Sequence, residues 1–222
     1  MNKKRAFHLI YALISLVPQT VLSLPEPYQS VSVLEPDYFM GWFSHANRRM
    51  LKEFIETRKP LVIVEVGSWL GASTIFMAEL MPLDGKIYAI DHWQGSPEHY
   101  TDNDLIKKLP NLYQQFLSNV IHRNQTEKII PMRMNSLEAS EKLNVYPNLI
   151  YIDGSHQEDD VYDDIMAWYP KLAANGILCG DDYGWGNNTL GYVKNGVHKA
   201  AKQLNLKVNV VENVFWYLEQ KK

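Results

Sequence analysis

Cysteine is almost absent from this sequence of 222 residues, basic residues are not in excess, and no repeat or low-complexity tract interrupts it. The lone thiol, Cys179, excludes an intramolecular disulfide and any cysteine-built zinc site. Its setting in the apolar run Gly176–Gly180 suits a small buried side chain. A formal net charge of −3 and a pI near 6.2 provide no basic field for a nucleic-acid backbone, and no local basic patch replaces it. Nucleic acid is therefore not an expected partner. No apolar run is long enough to span a membrane comfortably.

What is present is ordinary globular material: 46% hydrophobic and 21% charged residues, in a length that fills one core and is too short for two domains with linkers. The N-terminus stands apart. Lys3, Lys4 and Arg5 precede the apolar run Ala6–Val17, Pro18 breaks it, and Val21-Leu22-Ser23 offers a small-residue cleavage site. That order predicts a secretory signal peptide, or an uncleaved anchor, over residues 1–23. An extended linker with Pro25 and Pro27 over 24–37 and a single domain over 38–222 follow. The expected location is exported or membrane-tethered if the leader operates, with membrane contact only through that segment, and cytoplasmic otherwise.

The spacing of Met50, Leu51, Phe54 and Ile55 predicts a helix over Phe43–Thr57. Leu61–Val66 reads as a buried strand ending at glycine, Ala72–Met81 as a helix closed by Pro82, and Lys86–Asp91 as a second strand. After the polar stretch His92–Asp104 come a helix over Leu112–His122, a strand over Lys128–Met134 and a helix over Ser136–Leu143. Then follow a strand over Asn148–Asp153, a helix over Asp159–Leu172, a strand over Gly176–Gly180 and a helix over Gly196–Leu204. Leu206–Val211 and Val214–Leu218 read as a hairpin across Glu212-Asn213. This alternation predicts an α/β fold: a Rossmann-like, doubly wound, mostly parallel seven-stranded sheet with a C-terminal antiparallel hairpin.

Three constellations carry chemistry. In Glu65-Val66-Gly67-Ser68-Trp69-Leu70-Gly71, Gly67 lets the chain turn sharply off the strand and Gly71 lets the next helix begin close to a ligand. The helix N-terminus suits a carboxylate or phosphate. Asp91 closes the second strand, where an acid can accept the two hydroxyls of a ribose, so an adenosine-type cofactor leads. Asp153, at the end of the fourth strand, and Asp181-Asp182, after the fifth, converge on the same sheet edge. Three such carboxylates repel unless a cation lies between them, which suits a hard divalent ion such as Mg²⁺; as an alternative they are solvated or helix-capping acids. His156, three residues past Asp153, is placed to take a proton from a substrate hydroxyl.

With these residues in view, the chain resembles the class I S-adenosylmethionine-dependent methyltransferases, in particular the metal-dependent O-methyltransferase branch that includes catechol and macrolide-sugar O-methyltransferases. The match runs from about Tyr38 to Leu218. Glu65-x-Gly67-x-x-x-Gly71-x-Ser73 resembles the family's first motif, whose serine contacts the methionine carboxylate. Asp91 matches its ribose-binding acid, and Asn135 and Ser136 fall where it contacts adenine. Ser68, His92 and Asp153 complete the cofactor-binding set that the resemblance implies. Asp153, Asp181 and Asp182 fall on its Mg²⁺ ligands, and His156 on the general base of the sugar-acting relatives. The catechol-type lysine base is missing, since no lysine follows Asp153 before Lys171. The run Trp93–His99 resembles the segment that moves over the active site in this group.

The activity implied is methyl transfer from S-adenosylmethionine to a hydroxyl of a small, sugar-like acceptor; Trp69, Trp93, Tyr183 and Trp185 either line an aromatic wall beside it or pack in the core, which explains them equally well. Association into a homo-oligomer is compatible with this reading. The rival readings are an NAD-dependent oxidoreductase, for which the glycine triplet and catalytic pair are missing, and a Rossmann-like binding protein without turnover. An exported chain would also have to meet a cofactor that is made in the cytoplasm. Tethering without cleavage, delivery to a compartment holding the cofactor, and a gene start placed too far upstream each remove that conflict.

Overall fold

The computed structural model describes residues 23–37, 41–186 and 192–220; the leader expected over 1–23 lies, but for Ser23, outside them. Seven strands form one sheet: β1 (Val62–Val66), β2 (Lys86–Asp91), β3 (Ile129–Arg133), β4 (Leu149–Ile152), β5 (Ile177–Gly180), β6 (Leu206–Val211) and β7 (Phe215–Gln220). Their order is β3-β2-β1-β4-β5-β7-β6. Strands β1 to β5 pair in parallel, whereas β7 runs antiparallel to both β5 and β6. The hairpin turns at Glu212 and Asn213, both left-handed (φ 54° and 56°), and closes with Val214 N–H donating to Val211 O at 3.1 Å.

Alternation along the strands divides the core in two. Ile63, Ile87, Ala89, Ile129, Leu149, Tyr151, Ile177 and Cys179 face α1 (His45–Arg58), α2 (Ala72–Leu80) and α4 (Leu112–His122). Val64, Val66, Ile90, Ile150, Ile152 and Leu178 face α5 (Ser136–Lys142), α6 (Glu158–Trp168) and α7 (Tyr192–Gln203). Cys179 is wholly buried, as its apolar setting implies. Chain order reverses between β1 and β4, so the crevice for a ligand opens at their carboxyl ends.

Three stretches differ from the sequence reading. Residues 24–37 are docked, not a free linker. Tyr28 is buried with its hydroxyl donating to Ile129 O at 2.8 Å, and Leu34 N–H and Asp37 N–H donate to Ser118 Oγ and Asn119 Oδ1 of α4. The polar run after β2 holds a 3-10 turn, Pro97–Thr101, and a short helix α3 (Asn103–Lys108), whose Asp102 cap accepts from Asp104 N–H and Leu105 N–H. Helix α7 begins at Tyr192 and takes in Gly196, because a Cβ there would lie 2.5 Å from Glu158 O. The glycine permits close packing on α6 and does not mark the helix start. No helix among the described residues is long and apolar enough to cross a membrane.

Candidate active site

The turns leaving β1, β2, β4 and β5 enclose a cavity of about 760 Å³. Gly67 makes the first turn possible. Its φ is +89°, and a Cβ there would lie 1.9 Å from Asp153 O, so the backbones leaving β1 and β4 touch at this residue. Gly71 (φ +94°) is the N-cap of α2 and packs against Phe116. Between them Trp69 adopts φ 45°; Trp93 (51°) and Asp182 (56°), on the neighbouring turns, are also left-handed, a conformation costly for non-glycine residues.

Glu65 lies beneath the cavity and not in its wall. It is fully buried, and its carboxylate accepts from Ser68 Oγ at 2.7 Å, Ser73 Oγ at 2.5 Å and Thr74 Oγ1. Burial raises its pKa to about 7, opposed by those hydroxyls. The hydroxyl proton of Ser73 is thus committed to Glu65, although the residue lines the cavity. Asp91 accepts from Trp69 N–H at 2.9 Å and Trp93 N–H at 2.6 Å, which ties the β1 and β2 turns together; burial raises its pKa against these bonds. His92 is more exposed and also lines the wall, as do Ser68, Asn135 and Ser136. Asn135 caps α5 by accepting from Glu138 N–H at 2.8 Å, and Ser136 Oγ accepts from Trp168 Nε1 at 2.8 Å.

Asp153, Asp181 and Asp182 come together as the sequence implies, each offering an oxygen within 4.8 Å of the others. Desolvation, then mutual repulsion, raises the Asp153 pKa well above the carboxylate range and brings that of Asp181 to about 6. Asp181 also accepts from Asn47 Nδ2 of α1 and, at 2.6 Å, from Asp182 N–H. The Asn47 amide oxygen and the Tyr151 hydroxyl are buried there without a well-formed hydrogen bond. His156 Nε2 lies 2.9 Å from Asp182 Oδ2, and its ring stacks on Trp185 at 4.2 Å.

Of the expected aromatic wall, Trp69 and Trp185 line the cavity, whereas Trp93 and Tyr183 are buried in the two cores. Trp42 and His99, absent from that expectation, stand at the mouth: the His99 ring lies 4.4 Å from Trp69 and stacks parallel to Trp42 at 6.2 Å. Asn47 and Asp164 were likewise not legible as site residues. Asn47 lies in the first turn of α1 and Asp164 midway along α6, where a polar residue on a buried face is the sole signal.

No curated protein matches the chain. Its fold is similar to that of the O-methyltransferase TomG of Streptomyces achromogenes, involved in tomaymycin synthesis and solved in complex with SAM (TM-score 0.60, 13% identity, 81% of this chain and 82% of that one). It is also similar to the O-methyltransferase of Bacillus cereus in complex with SAH (0.57, 14%, 81% and 83%) and to an SAH-bound methyltransferase of Podospora anserina (0.57, 15%, 82% and 80%). At these identities the likeness concerns the fold. The methyltransferase domain family, by contrast, matches residues 64–183, which take in the β1 turn, Asp91 and all three clustered carboxylates. Over that stretch, more than half of its length, the chain belongs to the methyltransferase domain family.

Proposed function

We propose that this protein transfers a methyl group from S-adenosylmethionine to a hydroxyl of a small acceptor, with a divalent cation such as Mg²⁺ held by Asp153, Asp181 and Asp182. The observation that carries the reading is one cavity shared by the Gly67 turn, Asp91 and the three carboxylates. The SAM and SAH held by the similar folds support the cofactor. The residues fit a hard cation: all three donors are carboxylate oxygens, burial and then mutual repulsion raise the pKa values of Asp153 and Asp181, and the Asn47 oxygen behind Asp181 is an orphan. Bound there, the cation would supply charge that lowers the pKa of an acceptor hydroxyl.

The protein's own work is placement. The β1 turn and α2 N-terminus hold the amino-acid end of the cofactor, Asp91 its ribose, and the Met134–Leu137 wall its adenine. Nucleophile, methyl and sulfur are thereby aligned, a gain on the order of 7–11 kcal/mol for well-oriented reactants. Bound there, S-adenosylmethionine would supply its methyl carbon to the acceptor oxygen, the electron pair of the carbon–sulfur bond leaving with sulfur. The hydroxyl proton passes to His156, whose imidazolium Asp182 stabilises. The test is transfer of labelled methyl to a panel of vicinal diols. Transfer that stops with chelator and returns with Mg²⁺ is expected; full transfer in excess chelator would remove the cation from the account.

A further inference from the structure

Gln114, Gln115, Ser118, Asn119 and His122 fall on one face of α4 at helical spacing, and each meets the backbone of residues 32–37. Gln114 Nε2 donates to Ser32 O at 2.6 Å and Gln115 Nε2 to Glu35 O at 2.9 Å. Leu34 N–H donates to Ser118 Oγ at 2.9 Å, Leu34 O lies 2.8 Å from His122 Nε2, and Asp37 N–H donates to Asn119 Oδ1 at 3.0 Å. With the Tyr28 hydroxyl anchored on Ile129 O, residues 24–37 form a strap held along α4 by its main chain. Beyond it, Gly41 and Trp42 reach the cavity wall, and a Cβ at Gly41 would lie 2.8 Å from the Trp69 ring. The Asp37 carboxylate also pairs at 2.6 Å with Nζ of Lys108, which ends α3, and Leu105 of that helix lines the cavity.

Asn119 faces two ways. It is buried, its Oδ1 accepts from Asp37 N–H and, at 3.1 Å, from Gln115 Nε2, and its Nδ2 donates to Leu70 O at 2.9 Å. Two donors on one side and a carbonyl on the other fix which end of the amide is which. Leu70 stands in the β1 turn. The peptide joining it to Gly71, the N-cap of α2, is held at both poles: its carbonyl by Asn119 and its N–H by Ser68 O at 2.8 Å. The same turn contains Trp69 at φ 45°, a conformation that persists only where its surroundings hold it. Without the docked strap, Asn119 Oδ1 loses the Asp37 donor and the amide is freer to turn away from Leu70 O. We infer, on the cofactor reading above, that Asn119 is a positioning residue for the cofactor turn, and that docking of the strap and binding of S-adenosylmethionine are coupled through it.

The test titrates the full chain with S-adenosylmethionine by calorimetry, at a temperature where parent and variants are folded. Asn119→Ala, which removes the bond to the turn, should weaken binding by roughly 5–150-fold. Ser118 bonds Leu34 N–H and Gln114 O but nothing in the turn, so Ser118→Ala should cost a smaller part of that loss, through the strap alone. Coupling is reciprocal: in the unmodified chain the cofactor should slow hydrogen exchange at the Leu34 and Asp37 amides, and do so more than in the β6–β7 hairpin. A role in folding alone would lower the melting points of the variants and leave both cofactor affinity and that exchange unmoved. Parental affinity in Asn119→Ala would overturn the role of Asn119. Parental affinity in Ser118→Ala, or equal exchange at Leu34 and Asp37 with and without cofactor, would overturn the coupling. An unmodified chain that binds no S-adenosylmethionine would instead overturn the cofactor reading, and the inference with it.

Discussion

The two ends of the cavity satisfy their polar groups in opposite ways. At the β1–β2 end, Glu65 is closed by three hydroxyls and Asp91 by two backbone N–H groups, so each buried carboxyl has partners within the chain. At the β4–β5 end, Asp153, Asp181 and Asp182 face one another, and the buried Asn47 amide oxygen behind them lacks a partner. Burying a charge without compensation is among the most expensive arrangements a protein keeps. The first end is complete in the bare chain and preorganised for a cofactor. The second is where the proposed cation would be held.

The largest effect is expected where the ends meet. Gly67→Ala forces a Cβ into the Asp153 carbonyl and a side chain into φ +89°, a cost of at least about 3 kcal/mol. Denaturant melts should show it together with loss of S-adenosylmethionine binding; a variant as stable as the parent would contradict the shared-backbone account. Asp153→Asn separates function from stability at the open end. Turnover should fall by roughly 10³-fold or more, while the metal-free protein melts a few degrees higher because a buried carboxyl that folding holds neutral is gone. A melting point that falls would show that the cluster is not strained without a cation. His156→Ala should cost about 10²–10⁴-fold in kcat with cofactor affinity unchanged, and undiminished turnover would take His156 out of the mechanism.

The smallest effect sharpens the closed end. The folded pKa of Glu65 is about 7 against 4.5, and that of Asp164 about 7 against 3.8. Both are raised, so the folded state holds protons that the unfolded chain releases. The resulting stability is full below about pH 4 and is lost as pH rises through 7. The metal-free protein should therefore lose stability from these groups between pH 4.5 and 7, and Glu65→Gln should flatten part of that slope. The same variant turns an amide N–H₂ toward hydroxyl donors and should cost about 1–3 kcal/mol. Equal slopes in both proteins would deny Glu65 its raised pKa.

The sheet was legible because its strands are short β-branched runs that end at Gly67, Asp91, Asp153 and Gly180, and side-chain period and breakers fix such elements locally. The convergence of Asp153, Asp181 and Asp182 was legible for the same reason, since parallel strands deliver their ends to one edge. What could not be read depends on tertiary packing. Tyr28 reaches Ile129 across 101 residues, and Asn47 reaches Asp181 across 134. Gly196 looks like a helix start until α6 is seen against it. Trp69 and Trp93 both look like pocket aromatics, yet only Trp69 lines the cavity.

The central claim is that this cavity is built for S-adenosylmethionine, and calorimetric titration of the full chain tests it most directly. Saturable binding of S-adenosylmethionine, none of NAD, and loss of binding in Asp91→Ala are predicted. Binding of NAD, or S-adenosylmethionine binding unchanged in Asp91→Ala, would contradict it.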